Sequence, residues 1–176
     1  MKLSKTALAV AASFVVATAY AQGQGGPSDP QIAGIVVTAN QIDIDAGRLA
    51  KARTKNKEVS KFAQQMITDH TAVNKQAGAL AKKLHVKPAA SDTSKSLKAG
   101  AAENMKNLRG LKRAAFDKAY IDHEVAYHQA VLDAIDKVLI PNAQNAELKE
   151  LIVKVRPAIA AHLDHAKMVQ SDIEKK

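Results

Sequence analysis

The stretch Ala115–Leu139, AFDKAYIDHEVAYHQAVLDAIDKVL, decides the fold. Ile121, Val125, His128, Leu132, Ile135 and Leu139 recur at intervals of four and three. That period marks one face of an α-helix, whereas a strand would alternate every second residue. Pro141-Asn142 ends the run, because proline has no N–H to donate and its ring clashes with the preceding turn. One member of this otherwise apolar stripe is a histidine, and that substitution recurs along the chain.

Downstream, Asn145 is a helix cap, and Glu147 sits near the positive helix end. Leu148, Ile152, Val155, Ile159, His162, Ala166, Val169 and Ile173 then carry a second stripe to the C-terminus. Pro157 lies inside this helix and predicts a local kink. Upstream, Asp29-Pro30 reads as an N-cap followed by proline at the first helical position. The face Ile32, Ile35, Ala39, Ile42, Ala46, Leu49 predicts a helix that stops near Thr54. Asn56 caps the next helix, with Val59, Phe62, Met66, Val73, Ala77, Leu80 and Leu84 on its stripe, interrupted by Asp69-His70. Residues 86–94 contain Pro88 and read as a linker. A weaker helix covers about residues 94–108, broken at Gly110. No segment sustains period-two alternation. The sum is an all-α, antiparallel four-helix bundle with an extra short helix in the long connection.

Composition narrows the chemistry. The 176 residues include no Cys, which excludes disulfides, thiolate metal sites, Cys nucleophiles and lipid attachment through an N-terminal Cys. Aromatic residues make up 3%, too few for a stacking platform on single-stranded nucleic acid. Hydrophobic residues reach 47%, too many for a disordered basic tail. At the N-terminus, Lys2 and Lys5 precede an apolar run from Ala7 to Val16, and Ala19-Tyr20-Ala21 follows. This pattern predicts a secretory signal peptide over residues 1–21 with cleavage after Ala21. Residues 22–28 read as a flexible leader, and residues 29–176 as the bundle domain. Cleavage removes two lysines and lowers the net charge from +9 to +7. The mature chain has no run long enough to span a membrane. The expected location is the periplasm or the outer-membrane surface.

Each long helix places a polar or charged residue on or beside its apolar face. These are Asp43 and Asp45, then Asp69 and His70, then His123, Glu124 and His128, and finally His162 and His165. Burying such groups costs several kcal/mol unless they are paired. Three explanations stand side by side: mutual hydrogen bonding, a transition-metal site inside the bundle, or acid–base chemistry without metal. Imidazole with carboxylate suits Fe, Mn, Zn or Cu. Glu124 and His128 are four apart, and His162 and His165 three apart, so each pair shares a helix face. Counting outward from turns near residues 55–56 and 142–143 places Asp43, Asp69, His70, His123, Glu124 and His162 in one layer. His128 is then expected roughly 7–8 Å away along the axis, and a shift of a few residues in the turn centre brings it into the layer. Tyr120 and Tyr127 flank the same helix and read as core packing. His85 sits at a helix C-terminus, where a cation is favourable, and is assigned no chemistry.

The motifs IDIDAGRLA, EVSKFAQQMITDHT, AFDKAYIDHEVAYH, AELKELI and PAIAAHLDHA, taken together, resemble an exported bacterial family, the domain of unknown function 4142. The likeness covers about residues 29–170. It implies a ferritin-like four-helix architecture and points to His70, His128 and His162 as family positions, with His123 and His165 as extras. The Glu-x-x-His signature of di-iron bundles is absent: Ile67, Val125 and Ile159 stand three residues before those histidines. The resemblance implies no reaction.

Lys95, Lys98, Lys106, Arg109, Lys112, Arg113 and Lys118 gather around the weak helix. Export removes nucleic acid as their partner, which leaves a solvated face or attraction to anionic envelope components. The sequence permits a homo-oligomer. The leading expectation is an exported bundle that binds a transition metal through core His and carboxylates. The alternatives are a metal-dependent oxidase or peroxide-handling enzyme, and a basic envelope-surface protein.

Overall fold

The computed structural model describes residues 25–175. The expected signal peptide, and the leader as far as residue 24, lie outside these residues. The described residues form five helices: α1 (Asp29–Arg53), α2 (Lys57–Lys83), α3 (Asp92–Gly110), α4 (Arg113–Ala134, extended through Asn142) and α5 (Ala146–Glu174). The described residues contain no strand, and no helix among them is long and apolar enough to cross a membrane.

Two tight hairpins build the bundle. In the first, the Asn56 side chain accepts from the N–H groups of Glu58 and Val59, and Asn56 N–H donates to Thr54 Oγ1. These bonds satisfy donors that a helix start otherwise leaves orphaned. In the second, Asn145 does the same for Glu147 and Leu148. The cap of α1 differs from expectation. Ser28 is the N-cap, donating from its N–H and hydroxyl to Gln31 Oε1. Asp29 instead accepts from the N–H groups of Gln144 and Asn145, each at 2.9 Å, and ties the start of α1 to the second turn. Of the expected leader, Gly26 lies against the Asn142 side chain.

The connection between the hairpins is held at both ends. Ala89 N–H donates to Pro30 O, and its carbonyl rests where a Cβ on Gly34 would lie 2.0 Å away, so only glycine admits this crossing. The short helix is longer than expected, because Ser91 and Ser94 form a reciprocal capping box. Arg53 donates to the carbonyls of Leu108, Arg109 and Leu111 at the other end, and its guanidinium covers the Phe116 ring.

Near the second turn, α4 widens into a π turn over Ile135–Leu139, where Ile140 N–H bonds to Ile135 O. Pro141 does not stop the helix at once. Asn142 Nδ2 donates to Val138 O, and Ala143 N–H to Leu139 O, before the chain turns. Helix α5 continues unbroken through Pro157. Both Pro157 and Val153, whose carbonyl loses its partner, face solvent, where water can replace the bond.

The apolar core is divided. One cluster includes Phe62, Met66, Phe116, Tyr120, Ile121 and Val169; the other includes Ile32, Ile35, Leu132, Leu139, Ile152 and Ile159. Between them along the helices lie Asn40, Asp43, His70, Glu124, His128 and His162, all buried. The bundle therefore has a polar waist between two apolar ends.

Candidate metal centre

Helices α2, α4 and α5 each supply one histidine to the waist. His70, His128 and His162 are no more than 2% exposed. Their ring centroids lie 5.2 Å (70 to 162), 5.5 Å (128 to 162) and 5.8 Å (70 to 128) apart. One ring nitrogen from each falls within 4.8 Å of the other two.

The outward hydrogen bonds assign the tautomers. His128 Nδ1 lies 2.9 Å from the Glu124 backbone carbonyl, which only accepts, so Nδ1 carries the proton. His162 Nε2 lies 2.9 Å from Asp69 Oδ2 and donates to it. His70 Nδ1 lies 2.7 Å from Asn40 Oδ1. Asn40 Nδ2 already donates to Val36 O at 2.8 Å, so the amide turns its oxygen toward His70 and Nδ1 is the donor. The remaining nitrogens, His70 Nε2, His128 Nε2 and His162 Nδ1, are buried with no hydrogen-bond partner. Each is an unprotonated lone pair, so none can satisfy another.

Electrostatics keep these rings neutral. Burial, then the neighbouring His128 and His162, pushes His70 down to about 3. Burial is also the main cause that brings His128 to about 4, and it lowers His162 against the opposing pull of Asp69. Neutral imidazole is the metal-binding form. An outer carboxylate, amide or carbonyl on the other nitrogen is the arrangement that orients imidazole ligands. Three imidazoles whose outward N–H bonds are taken and whose inward lone pairs are unpartnered fit a transition-metal ion.

Helices α1 and α4 add carboxylates. Asp43 is 3% and Glu124 1% exposed. One oxygen of each and a nitrogen of His128 lie within 4.8 Å of one another. Asp43 Oδ2 is 3.4 Å from His70 Nε2, and Glu124 Oε2 is 3.5 Å from His128 Nδ1. Burial raises both carboxyl groups, Glu124 to about 8, and the neighbouring Glu124 charge raises Asp43 further, so the pair holds a proton at neutrality.

The other anticipated residues fall elsewhere. Asp45 points to solvent, where it accepts from Gln41 and pairs with Arg48. It is two residues from Asp43, so the helical turn swings it off the buried face. Asp69 stays partly exposed and reaches the site only through His162. His165 bonds Gln65 and packs on Phe62. His123 stacks on Tyr127, with Nδ1 3.9 Å from Glu124 Oε1. His128, not His123, is the α4 residue that meets His162. The turn between Asn142 and Ala146 is centred later than 142–143, and the π turn adds a residue on the α4 side. The later turn moves the partner of His162 toward the C-terminal end of α4, whereas the extra residue of the π turn moves it slightly the other way. Asn40 was not foreseen; its signal is its position three residues before Asp43, on the same helix face.

Comparison with known families identifies the chain. A family model described as "Domain of unknown function (DUF4142)" matches residues 15–169. The chain belongs to the DUF4142 family. No curated protein matches its sequence. Among solved structures, this DUF4142 chain resembles CopM in its Cu(II)-bound form, with a TM-score of 0.64 and 17% identity over 83% of this chain and 98% of that one. The Ag-bound form of CopM gives a TM-score of 0.65 and 16% identity, over 83% and 97% of the two chains. The DUF4142 chain and CopM share an all-helical bundle fold.

Proposed function

We propose that this DUF4142 protein is an exported metal-binding protein whose waist holds a transition-metal ion, copper before the others, through His70, His128 and His162. One observation carries the reading. Each ring gives its N–H outward to a fixed acceptor and turns a buried, unpartnered lone pair toward the other two. A cation satisfies all three at once, and no rearrangement of hydrogens among the rings does so. Three nitrogen donors without thiolate suit copper and zinc, and copper(II) stands highest in the divalent affinity order. The Cu(II)- and Ag-bound forms of CopM, a bundle of the same fold, support that choice. Asn40 and Asp69 act as positioning residues. Export rests on the Lys2–Ala21 pattern.

Metal analysis of untagged protein, with thermal unfolding in the presence of Cu, Zn, Fe or Mn, tests the binding. A bound ion at 100 times its dissociation constant stabilises the fold by about 2.7 kcal/mol. For a chain of this size that is a rise of roughly 5–10 °C in Tm. Protein with only trace metal and no shift with any of the four ions overturns the reading. Export predicts a mature chain whose mass begins at Gln22; an intact N-terminus refutes it.

A further inference from the structure

The three imidazoles leave the carboxylate side of the waist unexplained. Asp43 and Glu124 come from different helices, yet both carboxyl groups are buried. Two buried acids side by side are costly, because desolvation and their mutual repulsion both disfavour the charged forms. Glu124 Oε2 is buried and has no hydrogen-bond partner. A second group on the same helix as Glu124 is equally unsatisfied. The Tyr120 hydroxyl is fully buried and has no hydrogen-bond partner. Tyr120 stands one helical turn before Glu124, on the same face, and its phenol is held protonated by burial and by the charges of Glu124 and Asp43. The neighbouring Tyr127 differs, because its hydroxyl donates to Ala39 O at 3.2 Å.

We infer that Asp43 and Glu124, with Tyr120 one helical turn before Glu124 on the same face, form a second cation site that takes a hard divalent ion of the Mn(II) or Fe(II) class. The donors are oxygens, which favour hard ions, while the imidazoles on the other side favour softer ones. Two carboxylates supply the charge that the neutral imidazoles lack, so a dication there is balanced by its own ligands. The two donor sets adjoin: His128 has a ligand atom within 4.8 Å of both, and Asp43 Oδ2 is 3.4 Å from His70 Nε2. The inference rests on the proposed imidazole site only for the contrast between the two ions; the oxygen site stands without it.

The test uses the full chain, stripped of metal and loaded with one equivalent of Cu(II), then titrated with Mn(II). Loss of the free Mn(II) electron paramagnetic signal reads binding, and metal analysis after desalting reads stoichiometry. The expected result is one Mn(II) retained alongside one Cu(II). Asp43→Asn with Glu124→Gln should weaken Mn(II) by about tenfold or more and leave copper in place. Tyr120→Phe removes a single hydroxyl, keeps the core packing, and should weaken Mn(II) without touching copper. His70→Ala with His162→Ala should lose copper and keep Mn(II). No Mn(II) on the wild-type chain overturns the inference. So does Mn(II) that is unchanged in both carboxylate and tyrosine variants, or Mn(II) that disappears together with copper in the histidine variant. Absence of copper with Mn(II) retained refutes only the imidazole reading.

Discussion

The imidazole half of the waist, His70, His128 and His162, and the carboxylate half, Asp43 and Glu124, are equally buried but answer burial in opposite ways. Desolvation disfavours charge in both. For the imidazoles the neutral form is the ligand form, so burial prepares them and their outward hydrogen bonds lock the orientation. For the acids the neutral form is the weaker ligand, so burial holds a proton that a cation must displace. One low-polarity layer thus contains a half poised for metal at neutral pH and a half that must first lose a proton.

The comparison breaks most visibly in acid. His70 and His128 titrate at about 3 and about 4 in the folded chain, against about 6.5 when unfolded. Below pH 6.5 the unfolded chain therefore binds more protons, and folded stability falls as pH drops toward 4. The loss is at most about 1.4 kcal/mol per pH unit for each ring. Urea midpoints of metal-free Asp43→Asn, Glu124→Gln protein, in which the opposing carboxyl contribution is removed, check this between pH 7 and pH 4.5; a flat profile contradicts it.

The carboxylate half predicts the reverse slope. Its folded pKa values are raised, so its contribution is present at low pH and lost as pH rises through neutrality. Glu124→Gln should flatten that decline and stabilise metal-free protein at pH 8 by about 1–3 kcal/mol. Denaturation of the two proteins at pH 6 and pH 8 separates the cases, and an equal decline in both counts against a shared proton.

Asn40→Ala should be milder, because it leaves all three imidazoles in place. It frees the His70 ring to turn, and metal affinity should fall about 10–100-fold while the helix content stays. Competition with a chelator measures the change; unchanged affinity removes Asn40 from the positioning role. Asp45→Ala should do least. Its partner Arg48 is exposed, so stability should change by no more than about 0.5 kcal/mol and metal content not at all. A loss of metal in that variant would return Asp45 to the site.

Much of the fold was legible because its signals are local. The caps at Asn56 and Asn145 and the stripes around His70, His128 and His162 are visible within one helix each. Ser28 displaced Asp29 as the cap because Asp29 serves the distant Gln144–Asn145 turn, a partner no local pattern reveals. For the site, helical periodicity told which residues face inward but not which ones meet.

By itself, then, the sequence determined an all-helical chain with polar groups on its apolar faces and no sulfur from cysteine to bind metal. Only the tertiary structure decided that His128 rather than His123 joins His70 and His162, that Asp45 leaves and that Asn40 enters. The physical reason is register. A period of 3.6 residues sets direction around one helix axis, whereas height along neighbouring axes depends on turn length and on the extra residue of the π turn at Ile135–Leu139.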